Sequence, residues 1–139
     1  MGAEIYKGVL VWTSINRSPE LRSALRESSI PYVLADDRDA LFSQYCHLVG
    51  AENEPSRVFG NIWVAAVMMV DEFPVETNAF PWDIRIPRME SLRDVYPDIS
   101  LYWEFNPKAG YLQDDLSYSM VTIFNSFREI LPTVKKSVS

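Results

Sequence analysis

Ile5-Tyr6-Lys7-Gly8-Val9-Leu10-Val11-Trp12 is the stretch that sets the fold class of this chain. From Val9 to Trp12 the apolar residues run without alternation. A strand with no polar face is covered on both sides, as a central strand is when helices flank its sheet. Thr13 to Arg17 reads as a loop. Ser18-Pro19-Glu20 then reads as a helix start: Ser18 as a cap, Pro19 at the first helical position, Glu20 near the positive helix end. Leu21, Ala24 and Leu25 fall on one face of that helix, and Tyr32-Val33-Leu34-Ala35 forms a second short strand. Asp36 or Asp37 caps a second helix carrying Leu41, Tyr45, Leu48 and Val49, with Gly50 as its terminator. The order strand, helix, strand, helix predicts a parallel strand pair with a right-handed crossover.

Working outward, the signals weaken. Residues 62–73 fit a helical stripe (Ile62, Ala65, Ala66, Met69, Val70, Phe73) and a buried strand nearly equally. Alanine and methionine tilt the start of the stretch toward helix, and Pro74 ends it. Pro74 to Pro87 reads as an extended, aromatic-rich connection, with Phe80 and Trp82 between prolines. Pro87 opens a short helix carrying Met89, Leu92 and Val95, and Pro97 closes it. Ile99, Leu101, Trp103 and Phe105 alternate with polar or amphipathic residues, which predicts a strand. Leu116, Met120, Ile123, Phe124, Phe127, Ile130 and Leu131 repeat at helical spacing. They predict a long C-terminal amphipathic helix capped by Asp114 or Asp115 and ended by Pro132. The expected fold is a single α/β or α+β domain over residues 1–131. It has a three- to five-stranded mixed sheet flanked by helices, and a loose tail over 132–139.

Composition bounds the function. At 139 residues and 47% apolar, the chain is one ordinary globular domain with enough surface to bury a core. A single cysteine, Cys46, forms no internal disulfide and no cysteine-rich zinc site. The N-terminus shows no secretory pattern, and the apolar run from Ile62 to Val70 is about half the length of a membrane span. These features lead us to expect a soluble, cytoplasmic protein. The net charge of −6 makes free nucleic acid a poor partner, because phosphate binding needs clustered Lys and Arg.

No motif assigns a chemistry. His47, the one histidine, has no nucleophile motif to serve, and no Gly-x-Ser-x-Gly occurs. Gly50, Gly60 and Gly110 are isolated, so no glycine-rich phosphate loop is present. Asp98, Glu104 and Lys108 resemble a metal-dependent nuclease set in type but not in spacing. Asp36, Asp37 and Asp39 cluster just after a strand, where ligands of open α/β sheets sit. Such a cluster suits a hard cation, but helix capping accounts for the same acids without a metal. The sequence therefore implies no cofactor and no metal.

Trp12 and Trp103 lie on predicted strands and belong to the core. Phe80 and Trp82 sit in a proline-bounded connection beside Glu72 and Glu76, a combination suited to a basic protein partner with an apolar pocket. The expected function is non-enzymatic protein binding of the inhibitor or immunity type. Phe80, Trp82, Glu72, Glu76, Asp36, Asp37 and Asp39 are the contact residues. The alternatives are an oligomeric assembly protein of phage virions or tails, and a metal-dependent hydrolase with scattered carboxylates. The immunity and phage-assembly analogies are of class only, and self-association stays open.

Overall fold

The computed structural model describes residues 4–50, 53–70, 92–104 and 121–139. β1 (Tyr6–Trp12) is an interior strand covered on both faces, as its unbroken apolar run predicts, with Val9, Leu10 and Val11 fully buried. It pairs in parallel with β2 (Tyr32–Ala35) on one side, from Val9 opposite Tyr32 to Trp12 opposite Ala35. On its other side it pairs in parallel with β4 (Ile62–Met69), from Tyr6 opposite Ile62 to Trp12 opposite Met69, with a register shift between Gly8 and Val9. A Cβ on Gly8 would stand 2.7 Å from the Pro31 carbonyl oxygen, so this irregular rung needs glycine. β5 (Ser100–Glu104) and β6 (Thr122–Phe124) extend the sheet beyond β4, both parallel. The order is β2-β1-β4-β5-β6, with the two-residue β3 (Val58–Phe59) antiparallel to the start of β4. The sheet thus has six strands where three to five were expected; the extra one is β3, too short to leave a sequence signal.

Helices cover both faces. α1 (Ser18–Glu27) and the C-terminal helix α3 (Phe127–Ser137) pack on one face through Leu21, Ala24, Leu25, Phe127, Leu131 and Val134. On the other face, Leu41 and Leu48 of α2 (Arg38–Val49) and Leu92 of a helical turn at 92–95 meet Leu10, Trp12, Val67 and Trp103. Trp12 and Trp103 lie in this core, as the sequence predicts. Fully burying one such aliphatic or aromatic side chain contributes about 1.5–3 kcal/mol.

Three expectations are corrected. Residues 62–69 form a strand, not the start of a helix, because apolar side chains on both sides suit a strand covered on both faces. The C-terminal helix starts at Phe127, not near Leu116. Ile123 and Phe124 belong to β6, so the helical spacing that reaches back past them runs across a strand. Pro132 lies inside α3, and residues 132–139 are no loose tail: Val134 and Val138 are buried, and the Tyr102 and Ser137 hydroxyls are hydrogen-bonded. The predicted Pro-bounded connection at 74–87 and the Asp114 or Asp115 cap fall outside the described residues. No helix among the described residues is long and apolar enough to cross a membrane.

Candidate functional site at the carboxyl edge of the sheet

In an open parallel sheet, ligands sit beyond the carboxyl ends of the strands, where the strand order reverses. Here the chain steps from β1 outward to β2 and then returns past β1 to β4, so the reversal lies between β1 and β4. The β1–α1 connection borders that crevice. Thr13 is the last rung of β1 in the ladder: its N–H donates to the Ala35 carbonyl at 3.0 Å. Ser14 and Arg17 close a turn, with the Arg17 N–H donating to the Ser14 carbonyl at 3.2 Å.

Two side chains at this strand end hold buried polar atoms without partners. Among the described residues, the Trp12 Nε1 and Thr13 Oγ1 atoms find no hydrogen-bond partner, and the two residues are 1% and 0% exposed. Each such atom costs about 1–3 kcal/mol relative to a satisfied one. Just beyond, α1 begins with Arg17 as its N-cap, not Ser18 as the sequence suggests. The Arg17 side chain gives the first turn no capping hydrogen bond, since guanidinium nitrogens only donate. The Ser18 hydroxyl instead accepts from Arg22 Nε at 3.3 Å. Arg17 reaches Glu104 at the end of β5, and this mostly buried ion pair crosses the carboxyl end of β4.

The predicted acids stand at the same edge, after β2. Asp37 caps α2, accepting from the Ala40 N–H at 2.7 Å. Asp36 lies 3.9 Å from Arg22, and Asp39 is exposed in the first turn of α2. Among the described residues, no three His, Cys, Asp or Glu side chains are placed to hold a metal ion. Glu72, Glu76, Phe80 and Trp82 lie outside the described residues. Asp98 and Glu104 flank opposite ends of β5, so the nuclease-like set does not assemble; Lys108 is outside the described residues.

The amino edge is wired differently. Arg57 bridges the gap between β3 and β5 along β4. Its carbonyl accepts from the Val64 N–H at 2.8 Å, and its Nε donates to the Val64 carbonyl at 2.9 Å. Its Nη1 donates to both Asp98 oxygens, at 2.9 and 3.1 Å. The guanidinium stacks 3.7 Å from the Trp63 ring centroid and 4.8 Å from that of Tyr96. The hydrogen bond from Arg57 holds the Asp98 carboxyl below its ordinary value, while burial raises the Tyr96 phenol. Arg57 Nη2 and Tyr96 Oη are buried without partners.

A surface cavity of about 380 Å³ lies outside α2, lined by Phe42, Cys46, His47 and Asn53 among others. His47 ties α2 to β3: its Nε2 lies 3.2 Å from the Val58 carbonyl, which requires the Nε2–H tautomer, and its ring tilts against Phe59. The chain matches no family model, no curated protein and no solved structure.

Proposed function

We propose that the chain is a non-enzymatic, inhibitor-type protein that binds a basic partner through the carboxyl edge of its sheet. The observation that carries this reading is topological. Three neighbouring parallel strands, β2, β1 and β4, end at one edge. β2 leads into Asp36, Asp37 and Asp39, and β1 leads into Ile15, which is 69% exposed. β4 leads into the segment that carries Glu72, Glu76, Phe80 and Trp82. Aromatic anchors supply most of the energy of such contacts, and flanking acids steer a basic partner and speed its approach.

The test compares affinity capture by three proteins from the cells that make the chain: wild type, Trp82→Ala, and a triple Asp36, Asp37 and Asp39→Asn variant. Asparagine keeps the α2 cap, so only charge is removed. A basic protein held by wild type should lose at least about 2 kcal/mol of affinity with Trp82→Ala, at an unchanged melting temperature. The triple variant should slow its association and flatten the salt dependence. A captured protein indifferent to both variants overturns the reading, as does unfolding by Trp82→Ala. A closed ring in light scattering would favour an assembly subunit instead.

A further inference from the structure

We propose that the crevice between the carboxyl ends of β1 and β4 binds a phosphorylated small molecule. Its phosphate is held by the Thr13 hydroxyl and the orphan amides of the first turn of α1. This goes beyond the protein-binding reading and does not depend on it. The ladder continues through Thr13, so strand alternation puts its side chain on the face of Val9 and Val11, the face that α1 covers. There its hydroxyl is fully buried with no partner, a few residues before the helix begins. The amides of Ser18 and Glu20 belong to the opening turn, whose N–H groups have no intrahelical acceptor; Pro19 has no N–H to offer. The N-cap side chain supplies no acceptor either. Trp12 Nε1, also unmatched, lies on the opposite face, in the core under α2, and takes no part in this site.

The unmet groups on this face are backbone donors and a rotatable hydroxyl, and they border the positive end of the α1 dipole. That chemistry selects an anion whose several oxygens can accept at once, as a phosphate does. Two acids stand nearby. Glu104 is paired with Arg17, which offsets its charge, and Glu20 is exposed in the first turn.

The probe is inorganic phosphate, titrated against chloride at matched ionic strength and followed in the amide spectrum of the whole chain. Phosphate should give saturable shifts at residues 14–21 that chloride does not. Thr13→Val should weaken that binding about tenfold or more, and Thr13→Ser should keep it. Without phosphate, Thr13→Val should melt higher than wild type, because it removes an unpaired buried hydroxyl without changing shape. Equal shifts with chloride would overturn the proposal. So would shifts centred on Arg128 and Lys135 in the groove between α1 and α3, or a Thr13→Val variant that melts lower or binds as wild type does.

Discussion

Both edges of the sheet leave buried polar atoms unmatched, yet they do so for different reasons. At the amino edge, Arg57 Nη2 is spare, but the same side chain bonds Val64 and Asp98 and stacks on Trp63 and Tyr96. Two idle N–H donors among five, both on Nη2, are the ordinary cost of using arginine as a bracket. At the carboxyl edge, the only polar side-chain atom of Thr13 is idle, and so is that of Trp12. A buried polar atom without a partner costs about 1–3 kcal/mol, set against what burial of the rest of the side chain contributes. The amino edge has one such atom too, Tyr96 Oη, so what sets that edge apart is the bracing of the sheet by Arg57.

The comparison can be broken in several places. Glu104→Ala has the largest expected effect, a loss of about 3–5 kcal/mol in urea unfolding, because it breaks a mostly buried ion pair by removing one partner. Replacing Arg17 and Glu104 together with methionine should recover most of that loss. Arg57→Ala should cost about 2–4 kcal/mol, and Arg57→Lys should recover little, since a point charge cannot stack and bridge at once. Thr13→Val should move the other way, a gain of about 1 kcal/mol in phosphate-free urea unfolding. The smallest effect is acid sensitivity at the amino edge. Asp98 is held below its ordinary 3.8 by Arg57, so its contribution is complete above that value and fades as pH falls through the lowered folded value. Because Asp98 is largely exposed, this should amount to less than about 1 kcal/mol, and Asp98→Asn should abolish that part of the acid limb. An acid limb unchanged in Asp98→Asn would show that the pair is idle.

The N-terminal half was legible because each signal was local. Val9 to Trp12, Pro19, Asp37 and Gly50 each fix their own backbone through burial, ring closure, capping or left-handed geometry. Gly50 does adopt φ +75°, and its N–H closes on the Cys46 carbonyl. The C-terminal half misled because Ile123 and Phe124 of a short edge strand happen to keep helical phase with Phe127 and Leu131. Only pairing with β5 separates them. The site was the least legible part. Thr13 and Arg17 look like ordinary loop residues, and Glu104 is eighty-seven positions from its partner. Their meaning depends on the return of the chain past β1, which no local pattern records. Asp36, Asp37 and Asp39 were visible, but capping by Asp37 and the distant Arg22 contact of Asp36 account for much of their placement.

The position of α3 has a consequence for synthesis. Phe127, Leu131, Val134 and Val138 share one core with Val9, Val11 and Leu21, residues made near the start of translation. A nascent chain that has completed β1, α1 and β2 therefore carries an apolar sheet face that its last helix has yet to cover. Early segments can collapse, but this layer cannot close until residues 127–138 have emerged. A pause in translation before Phe127 would leave that face open to chaperones, and a chain cut there would be cleared by proteases rather than survive as a smaller domain.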